Sequence, residues 1–240
     1  MPVVQLEKSG NIALVKMDND ENRQNLVFAN DMNKAIDSAA DDPDINAMVL
    51  SSTSNKHWTL GVDVEWIMAR FQEKDFDAVK QFMYRMNDVF KKLLTLPFPA
   101  IAAINGHAFG NGAILACACD FRFMRADRGY FCFPEVDLGI PFLPGMVEIV
   151  KKAIPAYKLN ELKLTGKRAG AKELEDAHVI EKALPNADAL MGESMAFAAT
   201  FSKKRGIFSE HKKRMYKHIL GAMEKQDPEY IESLALFIQE

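Results

Sequence analysis

Two short glycine-bearing stretches hold the residues best placed for chemistry. Gly106, Gly110 and Gly112 follow one apolar run, Ala100 to Ile104, and precede another, Ala113 to Ala118. A strand, a flexible turn and a helix start leave backbone N–H groups unpaired at the helix N-terminus, where the helix dipole favours negative charge. Such a terminus can hold a developing oxyanion. The same glycines would equally permit close packing of helix on strand, and their spacing leaves both readings open. Thr59-Leu60-Gly61-Val62-Asp63 is a second loop of this kind. It lies between a strand-like run, Ala47 to Ser51, and a helical pattern, Val64 to Phe71, so each loop can contribute one donor.

Other familiar chemistries lack their residues. The chain has no G-x-x-x-x-G-K-[ST] phosphate loop, no H-E-x-x-H, no G-x-S-x-G elbow and no EF-hand loop. The spacing G-x-x-x-G-x-G, with no acid on a strand about twenty residues later, does not fit a dinucleotide site. His57, His107, His178, His211 and His218 have no metal-ligand spacing, so no metal is expected. Cys117, Cys119 and Cys132 lie in apolar surroundings with no base at hand for a catalytic thiol. Their odd number, with no leader sequence, points to reduced thiols in a cytoplasmic protein.

The elements that must position these loops follow from hydrophobic periodicity. Val3 to Leu6 and Ile12 to Met17 read as a hairpin around Lys8-Ser9-Gly10-Asn11. Asn30 to Ala40 has helical spacing, and Ala47 to Leu50 is a buried strand. Asp75 caps a long helix, Phe76 to Leu96, whose apolar stripe runs from Phe82 to Leu94 and which Pro97 ends. Ala100 to Ile104, Phe121 to Arg125 and Tyr130 to Phe133 are further strands, with Gly106 to Gly112 read as one turn. Beyond Pro141 helical patterns dominate, among them Gly145 to Ala153, Tyr157 to Leu164, Ala171 to Ala177, Asp188 to Ser202, Phe208 to Met223 and Pro228 to Gln239. The order predicts an α/β core followed by a helical region.

Composition narrows the class. With 240 residues, 48% hydrophobic and 26% charged, the chain is neither disordered nor dependent on staples, and it should bury roughly 70% of its unfolded surface. A net charge of −3 argues against a nucleic-acid partner. Seven Lys or Arg lie between Lys203 and Lys217, and eight acids between Asp18 and Asp44; both read as solvated helix faces. Leu93 to Cys119 lacks Asp, Glu, Lys and Arg, but Pro97, Pro99 and its glycines break any spanning helix. That segment reads as core, and no membrane association is expected.

Specific landmarks then add a resemblance. Lys56-His57-Trp58-Thr59-Leu60-Gly61-Val62-Asp63 is similar to the K-x-F-[SC]-x-G-x-D signature of the crotonase superfamily, the enoyl-CoA hydratase/isomerase family. Ala100 to Gly112 resembles its A-x-[VI]-x-G-x-[AC]-x-G-G-G motif. Cys119-Asp120-Phe121-Arg122, Phe133 to Pro141, and Thr165 to Leu174 resemble later landmarks, in order, from about Val3 to about Leu184. The resemblance implies a spiral of ββα units over residues 1–184, with a C-terminal helical region over 185–240. It implies an acyl-CoA thioester substrate, no separate cofactor, and assembly as a homotrimer or hexamer.

By position, the resemblance puts the two oxyanion donors at the backbone N–H groups of Val62 and Asn111, the latter replacing the usual glycine. Hydratases of this family use two glutamates. Here the first position is Ile114, which cannot hold water, and the second is Glu135. Flanked by Phe131, Phe133, Leu138 and Ile140, Glu135 should have a raised pKa suited to taking and returning a proton. One carboxylate facing an enolate hole resembles the Δ3,Δ2-enoyl-CoA isomerases, which shift a 3-enoyl-CoA to the trans-2-enoyl-CoA. Lys56, Leu60 and Arg23 are candidate CoA contacts, and Ile114, Leu138 and Phe142 candidate acyl-pocket walls, with Leu143 beside them. Asp63 reads as a helix cap. The alternatives are enoyl-CoA hydration, thioester hydrolysis, or acyl-CoA binding without catalysis.

Overall fold

The computed structural model describes residues 2–235. In chain order its elements begin with β1 (Val4–Ser9), β2 (Ile12–Met17), α1 (Leu26–Asp41), β3 (Ala47–Ser52), β4 (His57–Thr59), α2 (Val64–Gln72) and α3 (Phe76–Thr95). There follow β5 (Ala100–Ile104), β6 (His107–Phe109), α4 (Asn111–Ala118), β7 (Phe121–Arg125), β8 (Phe131–Cys132) and α5 (Glu135–Leu138). The remainder comprises α6 (Pro144–Ala153), α7 (Ala156–Thr165), α8 (Ala171–Asp176), β9 (Lys182–Leu184), α9 (Ala187–Ala199), α10 (Arg205–Met215), α11 (Lys217–Lys225) and α12 (Asp227–Ser233).

The strands form two sheets, one in the order β1-β2-β3-β5-β7-β9 and one in the order β4-β6-β8. Among the described strands β1 and β2 pair antiparallel, as the hairpin reading predicts, and the other strand pairs are parallel. A large-sheet strand, a small-sheet strand and a helix therefore recur as β3-β4-α2, β5-β6-α4 and β7-β8-α5. This is the expected spiral of ββα units. A parallel bridge between Gln24 and Val62 adds an earlier, vestigial turn, with Gln24 lying between β2 and α1.

Alternation along the large-sheet strands feeds two cores. Ala100, Ala102 and Ile104 of β5 face the main core with α1, α3 and α4, while Ile101 and Ala103 face a second core with Leu190 and Ala198 of α9. Side chains fix the helix starts. Asn25 accepts from the Val27 and Phe28 amides, Asp63 from Trp66 and Asp75 from Ala78. Asp63 and Asp75 are thus the caps their sequence context predicts. Helix α4 is buried on every side and has no side-chain cap, so its first amides are left for another acceptor.

Several expectations need correction. His107–Phe109 is a strand rather than part of one long turn, because it pairs with both β4 and β8. β4 and β9, three residues each, are too short to leave a periodic signal. The single helix expected over Phe208 to Met223 breaks at Tyr216 into α10 and α11. The helix expected from Pro228 ends at Ser233, and residues 236–240 of that range lie outside the described residues. Among the described residues no helix is long and apolar enough to cross a membrane.

The basic run is also not wholly solvated. Arg205 donates to the carbonyls of Ala40 and Asp42 at the C-terminal end of α1 and to that of Ile45 in the loop after it. Lys212 is 3% exposed and donates to Leu93 O and to Asp120 Oδ2, both at 2.7 Å. This buried pair fastens α10 to the core. Lys212→Ala should cost about 3–5 kcal/mol in urea denaturation, since it strands a buried carboxylate. The exposed neighbour substitution Lys213→Ala should stay within about 0.5 kcal/mol.

Candidate active site

Three small-sheet strands end at one place. Because β4, β6 and β8 run parallel, their C-terminal ends share one edge of the sheet, the usual location for a ligand in a parallel sheet. Beyond β4 comes Leu60-Gly61-Val62, beyond β6 comes Gly110-Asn111, and beyond β8 comes Phe133-Pro134-Glu135. Gly61 has φ +80°, and a Cβ there would stand 2.6 Å from Phe109 O and 3.0 Å from the Asn111 nitrogen. Only glycine lets the two loops meet so closely. Gly110 has φ +55°, and its missing Cβ leaves room for Glu135 Oε1, which would lie 3.0 Å away.

The amides of Val62 and Asn111 donate to no protein acceptor among the described residues. Hydrogen bonds on either side explain why Val62 stays free. Gly61 N–H donates to Thr59 Oγ1 at 3.1 Å, and Asp63 N–H donates to Gln24 O at 2.9 Å. Asn111 is the first residue of α4, whose dipole adds positive potential at its amide. Its side chain turns away to donate from Nδ2 to Gln24 Oε1 at 2.7 Å. Two free amides on touching loops can hold an oxyanion.

Glu135 opens α5, and its Oε2 is buried with no hydrogen-bond partner. Loss of water raises this carboxyl from its ordinary 4.5 to about 7, against weaker opposition from its own backbone amide and from Lys163. Lys163 Nζ sits 3.8 Å from the centre of the Phe142 ring. An acid poised near neutrality can both remove and return a proton.

Glu135, Val62 and Asn111 line one apolar cavity of about 340 Å³. Ile114 and Phe142 line it as well, as does Leu143. Leu138 does not. It is 57% exposed and faces a neighbouring cleft beside Val136 and Lys163, because the single turn of α5 points it away from Ile114. Lys56 is exposed and its charge acts on Glu21, Arg23 pairs with Glu21 at 2.9 Å, and Leu60 N–H donates to Glu21 O at 3.0 Å, so these three gather around Glu21. Cys117 and Cys119 are fully buried, which pushes their thiols up to about 11 and 12. They are inert as nucleophiles at neutral pH.

Sequence reasoning did not find several cavity residues. Phe82 and Met83 come from α3, Met146 and Val147 from α6, Tyr230 from α12 and Ala235 from just after it. Asp227 secures the start of α12, accepting from Gly145 N–H at 2.8 Å and from Asn87 Nδ2 at 2.9 Å. No local pattern marks these contacts, since they join segments up to 140 residues apart. The stripe on α3 was visible, but not which part of it faces a cavity.

The fold and its loop-lined edge define a class, the crotonase fold. The enoyl-CoA hydratase from Bacillus halodurans is similar with a TM-score of 0.87 and 20% identity, over 99% of this chain and 96% of that one. The family model for enoyl-CoA hydratase/isomerase matches residues 7–235, and the chain belongs to that family. Among curated relatives, Delta(3,5)-Delta(2,4)-dienoyl-CoA isomerase, mitochondrial, of Pongo abelii is 28% identical over 197 residues, 79% of this chain. The chain spans about 60% of that relative's length. Enoyl-CoA delta isomerase 3 of Arabidopsis thaliana is 30% identical over 205 residues, covering 80% of this chain and 84% of the relative.

A buried, unpaired carboxyl sets a pH dependence of stability. The folded chain holds the Glu135 proton more tightly than the unfolded chain, with about 7 against 4.5. Its favourable contribution is therefore full below about pH 4.5 and is lost as pH rises through about 7. Relative to the native protein, Glu135→Gln should gain stability between pH 4.5 and pH 8 by up to ~3 kcal/mol, read by urea denaturation at both values. An equal difference at the two pH values would contradict the burial of this acid.

Proposed function

We propose that this protein is a Δ3,Δ2-enoyl-CoA isomerase working through one glutamate. The observation that carries the reading is a single carboxyl, raised to about 7, in the same apolar cavity as two free amides. Ile114, 1% exposed, supplies no second acid to activate water, which weighs against hydration.

In the proposed reaction the thioester oxygen of a 3-enoyl-CoA accepts from the N–H groups of Val62 and Asn111. Ionised Glu135 takes a proton from C2. The C–H electron pair moves into the C1–C2 bond and onto oxygen, giving a dienolate. The new carboxylic acid then returns the proton to C4, so a C2–H bond breaks, a C4–H bond forms and the double bond moves to C2–C3. The step balances without a redox agent or metal. Each donor contributes about 3–4 kcal/mol to a transition state with charge on oxygen, and the acid–base group about 10²–10⁴-fold.

The acyl chain lies against Ile114, Phe142 and Leu143, while the CoA phosphates meet Lys56 and Arg23 near Leu60. Exposed Val136, Leu138 and Leu164 support a subunit contact, in a homotrimer or hexamer. Three free buried cysteines favour a reducing compartment such as the cytoplasm.

Incubation with a 3-enoyl-CoA should produce the absorbance of a conjugated thioester, whereas a 2-enoyl-CoA should keep it. Loss of absorbance from the 2-enoyl-CoA would instead indicate hydration, and binding without turnover of either would indicate a non-catalytic protein. Glu135→Gln should lower kcat about 10²–10⁴-fold while acyl-CoA binding stays within a few-fold. Because the base must be ionised, kcat/KM should rise with pH and level off above about 7.

A further inference from the structure

Gln24 is fully buried and holds both glycine-bearing loops. Its backbone grips the first on either side of Val62: Gln24 N–H donates to Gly61 O at 2.8 Å, and Gln24 O accepts from Asp63 N–H at 2.9 Å. Its side chain reaches the second, with Oε1 accepting from Asn111 Nδ2 at 2.7 Å. The direction of that bond is fixed by its neighbours. Thr59 donates its hydroxyl proton to Asn22 O at 2.6 Å, so Thr59 Oγ1 accepts from Gln24 Nε2 at 3.3 Å, which leaves Oε1 facing Asn111. A lone parallel bridge joins Gln24 to Val62, just past the end of β4.

We propose that Gln24 is a positioning residue that sets the spacing and aim of the Val62 and Asn111 amides toward a thioester oxygen. This rests on the isomerase reading above. An apolar side chain of similar size would fill the space but release the first residue of α4 and leave Asn111 Nδ2 without its acceptor. Catalytic hydrogen bonds are sensitive to such release, since a misplacement of about 1 Å can cost 10²-fold in rate.

The test compares the native chain with Gln24→Leu, Gln24→Glu, Asn111→Ala and the double variant Gln24→Leu/Asn111→Ala. Three properties are read: turnover of a 3-enoyl-CoA, the red shift of bound cinnamoyl-CoA that reports polarisation of its carbonyl, and Tm. Gln24→Leu should lower kcat at least tenfold with KM within about twofold, and should shrink the red shift. Gln24→Glu keeps both the acceptor for Asn111 and a donor for Thr59 only while its carboxyl is protonated, so its red shift should exceed that of Gln24→Leu at low pH and fall as pH rises and the carboxyl ionises. In the Asn111→Ala background, Gln24→Leu should cost less than threefold, because the link is already cut.

Equal costs in the two backgrounds, or a native red shift in Gln24→Leu, would overturn the proposal. Should Gln24→Leu fail to fold, Asn111→Ala alone reads the same link, and an undiminished kcat and red shift there would also overturn it. If the native chain neither turns over the thioester nor shifts its absorbance, the isomerase reading fails and the positioning role with it. If the native chain does both and Gln24→Leu matches it, the positioning role alone fails.

Discussion

Parallel pairing among three very short strands is the constraint on which the site depends. Strands of two or three residues contribute little stability by themselves, so β4, β6 and β8 are held by what surrounds them. Trp58 of β4 is fully buried, as is Phe131 of β8, and the large-sheet strand of each unit leads directly into its small-sheet strand. Parallel direction then brings the loops after all three strands to one edge. An antiparallel partner at any of these positions would move its loop to the opposite end of the sheet.

That edge is assembled at a cost in conformational freedom and hydration. Two glycines adopt positive φ where the loops touch, and two amides lack protein acceptors among the described residues. One carboxyl oxygen, Glu135 Oε2, is buried with no hydrogen-bond partner among the described residues. These are features that a fold selected only for stability would avoid, and together they suit chemistry in which negative charge passes from a carboxylate to a carbonyl oxygen. The cavity wall does the complementary work. Ile114, Phe142 and Leu143 keep the region apolar, which both raises the Glu135 pKa and strengthens hydrogen bonds to a developing anion.

Much of this was legible in the sequence where local chemistry is strong. Asp63 and Asp75 announce their helices, β5 and β7 keep the bounds that their apolar runs suggest, and the glycines mark both loops. The repeating unit was not legible as a period, because a long helix follows α2 in one unit whereas four-residue α5 closes another. Lys212 looked like a surface charge because helical periodicity carries no information about Asp120, 92 residues away. Leu138 looked like a cavity residue because it is near Glu135 in sequence, yet one helical turn suffices to face it elsewhere. Gln24 carried no recognisable signal at all. Its importance comes from a bridge to Val62 and a side-chain bond to Asn111 that only the folded chain brings about.

The most direct measurement is a crystal structure with a non-isomerisable acyl-CoA analogue bound. The thioester oxygen should lie about 3 Å from the nitrogens of both Val62 and Asn111, with the Glu135 carboxyl beside C2 and the acyl chain against Ile114. A carbonyl held by only one of those amides, or a Glu135 side chain turned out of the cavity, would contradict it.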